Sequence, residues 1–260
     1  MYIQINDLNM YYYDSGQSDK QVLVFIHGLG ENLNSWENQL DYFTKNYRVI
    51  AMDLRGHNRT NDGNQDITIK QFAQDVIALL DTLKIEKAHF IGLSMGGLIC
   101  QQLAVDYASR IYTLSLCNSA CYYSKEARAN LAAYSDMIRA VTMDEMAMLI
   151  TRRCLPVQYS QKVYDMAFNI FRVNRKDPYI AAMIATFTFD FRTQLKKILV
   201  PVLIFTGSED KATPPAASKL IHNLIPHSEF HIIQGVGHLS KLENPIAFNQ
   251  LITNFLARNI

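Results

Sequence analysis

The chain has 260 residues, 49% hydrophobic and 19% charged, which excludes a disordered polymer and supplies enough apolar material for a substantial core. Its formal net charge of +1 gives no electrostatic footprint for nucleic acid or an anionic membrane surface. Four cysteines, Cys100, Cys117, Cys121 and Cys154, lack C-x-x-C spacing and read as buried or half-buried thiols of a reducing compartment, so cytoplasm is the expected location.

The first residues, Met1-Tyr2-Ile3-Gln4-Ile5-Asn6, carry neither a basic n-region nor a long apolar h-region. No stretch is long and apolar enough to span a bilayer. Ile3 to Ile5 and Met10 to Tyr13 read as an antiparallel lead-in hairpin. Val22 to Ile26 is a short apolar strand running into His27-Gly28-Leu29-Gly30, and Val49 to Met52 is another, running into Asp53-Leu54-Arg55-Gly56-His57. Ile69 to Leu83 places Phe72, Val76, Leu79, Leu80 and Leu83 at helical spacing. Ala88 to Leu93 is a strand that meets Ser94, and a helical pattern follows from Met95 through Ala104. Tyr112 to Cys117, Val202 to Thr206 and Glu229 to Ile233 are further strands. Asn244-Pro245 then supplies an N-cap and a first-turn proline for a terminal helix to about Ala257. Alternating strands and helices imply an α/β fold, a parallel sheet with helices on both faces. The stretch from about Ser119 to Leu195 breaks the alternation. It is helical in character, with Pro156 and Pro178 as punctuation.

Gly92-Leu93-Ser94-Met95-Gly96 is the stretch richest in chemistry. A serine on a sharp strand-to-helix turn has a strained backbone, so the residues two before and two after it must be tiny. The turn exposes the hydroxyl and aims a helix N-terminus at the reacting oxygen. That hydroxyl is a poor nucleophile without a base, and the base needs an orienting acid. Val202 to Gly207 ends in Ser208-Glu209-Asp210, and Phe230 to Ile233 is followed by Gly235-Val236-Gly237-His238. Asp210 and His238 thus lie beyond strands at the sheet edge that holds Ser94, in the order serine, acid, histidine. Glu209 is adjacent, but a shift of one residue turns its side chain elsewhere. The strand Tyr112 to Cys117 ends in Asn118, which cannot carry a charge. Of the other histidines, His57, His222 and His227 read as surface residues, His89 and His231 as structural residues within strands, and His27 as a loop brace. Neither H-E-x-x-H nor paired cysteine spacing is present, so no metal and no organic cofactor is expected.

Taken together, HGLG with Trp36 a few residues on, DLRGH, GLSMGG, GSEDKATPP and GVGHLSKLENP resemble the α/β-hydrolase fold family. The chain is similar to small carboxylesterases and 3-oxoadipate enol-lactonases, over nearly its whole length except 119–195. The resemblance implies a mostly parallel central sheet formed by residues 1–118 and 196–260, with residues 119–195 as an inserted helical cap. It implies cleavage of a small-molecule ester or lactone through Ser94, Asp210 and His238 by way of an acyl-enzyme, with the main-chain N–H groups of Leu29 and Met95 as the oxyanion hole. An enol-lactonase or carbon–carbon bond hydrolase would use the same residues. A ligand receptor with a slow triad is the reading from another class, although that branch usually carries an elbow like GHSVS. A serine nucleophile argues against dehalogenase or epoxide-hydrolase chemistry, which relies on a carboxylate. One departure is DLRGHNRT, where the family's usual DxRGHGxS has glycine at Asn58 and serine at Thr60; a slightly altered loop is expected there. Six of the ten methionines, Met137, Met143, Met146, Met148, Met166 and Met183, fall in 119–195 and suit an adaptable apolar pocket. Trp36, Met137, Met146 and Met148 are the expected substrate contacts. Arg139, Arg152 and Arg153 either meet a substrate carboxylate or form a solvated helical face.

Overall fold

Strand sequences that read as unbroken apolar runs belong in a sheet covered on both faces, and the computed structural model, which describes residues 1–259, builds such a sheet. It has eight strands: β1 (Tyr2–Ile5), β2 (Leu8–Asp14), β3 (Val22–Ile26), β4 (Arg48–Met52), β5 (Ala88–Leu93), β6 (Ile111–Cys117), β7 (Val202–Gly207) and β8 (Glu229–Ile233). Their spatial order is β1-β2-β4-β3-β5-β6-β7-β8. The β1–β2 and β2–β4 pairings are antiparallel, and every later pairing is parallel.

The helices are α1 (Glu37–Phe43), α2 (Ile69–Thr82), α3 (Met95–Asp106), α4 (Lys125–Ala129), α5 (Leu131–Ala140), α6 (Met143–Cys154), α7 (Gln161–Phe171), α8 (Lys176–Thr188), α9 (Pro215–Leu224), α10 (Ser240–Glu243) and α11 (Pro245–Ala257). Successive side chains of a strand face opposite ways, and the two cores follow from that. Val24, Ile26 and Phe90 pack with Phe72, Val76 and Leu98 from α2 and α3 on one face. Leu23, Phe25 and Ile91 pack with Trp36, Phe43, Phe248 and Ile252 on the other. Five helices, α4 to α8, fill the chain between β6 and β7. Thr142 and Glu145 form a reciprocal capping box at the start of α6. Pro178 lies inside the first turn of α8, where a helix needs no N–H, so it does not interrupt that helix.

Two histidine expectations are corrected. His57 is fully buried, because the loop after β4 folds under the β3 loop and brings its ring 5.0 Å from that of His27. His231 lies within β8 but is exposed, because β8 is the edge of the sheet and both His231 and the adjacent Ile232 are left uncovered there. Among the described residues no helix is long and apolar enough to cross a membrane.

Candidate active site

Parallel strands put their carboxyl ends at one edge, and the loops there gather the residues singled out above. Ser94 takes φ 55° and ψ −115° at the junction of β5 and α3, a conformation that costs a side-chain-bearing residue about 1–3 kcal/mol. The glycines around it are steric requirements. A Cβ on Gly92 would sit 2.3 Å from the Gly96 carbonyl oxygen, and one on Gly96 would sit 2.1 Å from that of Ile26. As first residue of α3, Met95 has an N–H with no acceptor inside the helix.

Opposite the elbow, Gly28 approaches so closely that a Cβ there would lie 3.2 Å from Ser94 Cβ. The loop is fixed from behind. His27 donates from Nδ1 to the Gly28 carbonyl at 2.8 Å and accepts at Nε2 from the Leu54 N–H at 3.0 Å. Burial drives its pKa down to about 4, so it is neutral and both nitrogens keep these roles. The Glu31 carboxylate accepts from the Gly28 N–H at 3.3 Å and the Ser35 hydroxyl at 3.1 Å, and pairs with Lys241. Asn58 adopts φ 44°, a left-handed conformation that asparagine tolerates better than most residues, and its side chain donates to Asp53 at 3.0 Å.

Asp210 and His238 meet at the far side. His238 Nδ1 donates to Asp210 Oδ2 at 2.9 Å, which leaves Nε2 as the basic nitrogen. Asp210 also accepts from the Ala212 N–H, the Thr213 N–H and Asn118 Nδ2, each at 2.9 Å. Burial alone would raise its pKa, yet the His238 charge and these donors hold it below the ordinary carboxylate value. Burial alone would lower His238, but the adjacent Asp210 charge and hydrogen bond lift it above its usual 6.5. Glu209 is exposed, one residue away. No hydrogen bond joins the Ser94 hydroxyl to His238 among the described residues; the two meet at one cavity.

That cavity is about 320 Å³ and includes Ser94, His238, Leu29, Thr213 and Glu31 at its base. Met137, Ile138, Met146, Leu149, Phe171 and Met183 give it apolar walls from α5 to α8. Met148 is half-buried and lies outside this wall, one helical position from the facing side of α6. Trp36 is also corrected as a substrate contact. It is fully buried beneath the sheet, 5.0 Å from Phe25 and 6.0 Å from Phe248 by ring centroid, with Lys241 over its face at 4.1 Å. Arg153 borders the cavity, while Arg139 is exposed beside Asp136 at 3.4 Å and Arg152 is exposed.

Sequence reasoning missed three groups here. Asn118 cannot carry the acid's charge, yet it donates to both Asp210 and the Gly237 carbonyl. Glu243 accepts from the N–H groups of Gly237 and Leu239, at 2.7 and 2.9 Å, on both sides of His238. Burial pushes its carboxyl up to about 7. The third is the Glu31–Lys241 pair, with side chains 2% and 0% exposed. For the charged groups the available signal was their place beside the motifs, Glu31 directly after HGLG and Lys241 and Glu243 just after GVGH. Among the described residues, no cluster of three or more His, Cys, Asp or Glu side chains is placed to hold a metal.

In sequence and in fold the chain matches known proteins over nearly its whole length. A family model described as alpha/beta hydrolase fold covers residues 21–144 and 157–245. The chain is 31% identical over 255 residues to 3-oxoadipate enol-lactonase 2 of Acinetobacter baylyi, spanning 97% of this chain and 94% of that one. It is 29% identical over 243 residues to the karrikin insensitive 2 receptor IA of Petunia hybrida, spanning 88% of this chain and 87% of that one. The solved enol-lactonase from Burkholderia xenovorans superposes with a TM-score of 0.92 at 29% identity, covering 99% of this chain and 100% of that one. With the sheet order, the family model and the sequence relatives in agreement, the chain belongs to the α/β-hydrolase fold family.

Proposed function

We propose that this protein is a serine hydrolase of small carboxylic esters, acting through Ser94, His238 and Asp210 with an acyl-enzyme intermediate. The observation that carries this reading is the buried His238 Nδ1–Asp210 Oδ2 hydrogen bond at 2.9 Å, set at the same cavity as the strained Ser94. His238 Nε2 takes the Ser94 proton as Oγ attacks the ester carbonyl. The main-chain N–H groups of Leu29 and Met95 hold the tetrahedral oxyanion, each worth about 3–4 kcal/mol in such sites. The ester C–O bond then breaks, and the alcohol leaves with the proton from His238. Water, deprotonated by His238, attacks the acyl-enzyme and frees the acid, and Ser94 regains its proton. Residues 119–195 act as the cap, with Met137, Met146 and Met183 giving an acyl site that adapts to chain length.

A second reading has its own support. Arg153 is the one Lys or Arg bordering the cavity, and no carboxylate lies within ion-pair distance of it among the described residues. A lactone or ester bearing a carboxylate would meet it, and one relative is named for a 3-oxoadipate enol-lactone. Arg153→Ala would then raise KM for the carboxylate-bearing substrate and leave a neutral ester unaffected.

Steady-state turnover of a panel of p-nitrophenyl esters and lactones tests the proposal. Many turnovers per enzyme, lost in Ser94→Ala, support it. Release that stops after about one equivalent would instead favour the receptor class, as in the petunia relative's name.

A further inference from the structure

Helix α10 has only four residues, yet three of its side chains reach different parts of the site. Ser240 donates to Asn118 Oδ1 at 2.5 Å, and Asn118 in turn donates to Asp210. Glu243 grips the N–H groups on either side of His238. Lys241 crosses to Glu31, whose carboxylate bonds the Gly28 N–H immediately before Leu29.

We propose that Glu31 and Lys241 are positioning residues that lock the oxyanion loop of Gly28 and Leu29 to the helix behind His238. The inference rests on the hydrolytic reading above and adds the mechanical link between its donors and its base. Three observations support it. The pair is buried, and an ion pair out of water is a poor way to gain stability compared with apolar side chains of the same size. Its placement therefore points to geometry. Glu31 borders the cavity that Ser94 and His238 share, so its charge lies at the site itself. Lys241, held over the Trp36 ring at 4.1 Å, balances that charge. Finally, Gly28 is wedged against Ser94, where a Cβ would lie 3.2 Å from Ser94 Cβ, so a shift of the loop changes the space above the nucleophile.

The link acts through the N–H of Gly28 and not on the substrate. Its loss should weaken transition-state stabilisation and spare ground-state binding. The test compares two uncharged pairs in the full-length protein. E31L/K241M removes the tie but fills the space with apolar side chains, and E31Q/K241M keeps an oxygen for the Gly28 N–H. The tie predicts that kcat falls about a hundredfold in E31L/K241M with KM unchanged, the scale of one lost oxyanion donor. It predicts that E31Q/K241M recovers about tenfold of that loss, the scale of one hydrogen bond to a main-chain donor. Fluorophosphonate labelling of Ser94 should slow in step with kcat.

The single variants give a second reading if E31L/K241M does not fold. The Glu31 charge raises the His238 pKa and the Lys241 charge lowers it. The pH–rate limb should therefore move down in E31Q and up in K241M, with kcat reduced in both. A folded E31L/K241M with wild-type kcat, or single variants with wild-type kcat and an unmoved limb, overturns the inference. Absence of Ser94 labelling in the wild-type protein would instead sink the hydrolytic reading on which it rests.

Discussion

Asn118, just beyond the end of β6, donates its side-chain amide to Asp210 Oδ2 at 2.9 Å. It takes φ 47° to do so, and the same amide reaches the Gly237 carbonyl at 3.1 Å. One neutral residue thereby ties the acid loop to the histidine loop. Asn118→Leu should cost about 1.5–3 kcal/mol of transition-state stabilisation, the value of a hydrogen bond to a charged group, or roughly ten- to a hundredfold in kcat/KM. Steady-state kinetics on the folded variant check this. An unchanged kcat/KM would make the Asn118 contact incidental.

A pH profile follows from the acid–histidine pair. In the proposed mechanism only neutral His238 accepts the Ser94 proton, so the rate should rise with pH. Because Asp210 lifts the His238 pKa above 6.5, the midpoint should lie above 6.5. Glu243, whose burial sets its pKa at about 7, titrates nearby; its protonation at lower pH weakens its hold on Gly237 and Leu239 and acts in the same direction. Asp210→Asn removes the charge that raises His238 but leaves the burial that lowers it, so its limb should move down. Turnover should drop about four orders of magnitude, because the tautomer is no longer fixed. Glu209→Gln should do neither.

Strain at the elbow gives a stability prediction. Ser94→Gly relieves a φ of 55° that glycine adopts freely and should raise stability by about 1 kcal/mol while abolishing turnover. Denaturant melts compared with Ser94→Ala would measure it. Gly96→Ala should act oppositely, since its Cβ would lie 2.1 Å from the Ile26 carbonyl oxygen.

The cavity wall gives a selectivity prediction. Met137→Ala and Met146→Ala should move the preferred acyl chain length upward, with each added methylene worth about 1–3 kcal/mol. Met148→Ala should leave the profile alone. Trp36→Ala should destabilise the fold by about 3–5 kcal/mol, since the ring is fully buried among Phe25, Phe43 and Phe248. Chain-length profiles that respond to Met148 and ignore Met146 would place the acyl group elsewhere.

The parts that sequence made legible were those with short-range rules. Gly92-Leu93-Ser94-Met95-Gly96 announces its turn because the steric demand falls on neighbours two residues away. The strands from Val22, Ala88 and Val202 are apolar on both faces, and the order of their loops follows the chain. What escaped depends on contacts distant in sequence. Trp36 lies near a site motif, but its direction is set by Phe248, far along the chain. His57 reads as polar loop until the fold sets it edge-on against His27. Lys241 and Glu31 are unremarkable singly, and only the fold shows that both are buried and paired. The edge position of β8, which exposes His231, is likewise a property of strand order and not of the strand.

The central claim is that Ser94 is an activated nucleophile, and its most direct measurement is the site of covalent labelling by a fluorophosphonate. Only a serine with a working base and oxyanion donors attacks phosphorus readily. Intact mass followed by peptide mapping should find one adduct per chain, on Ser94, formed faster as pH rises through the His238 limb and absent in Ser94→Ala. An adduct on any other serine with Ser94 unmodified would contradict the account.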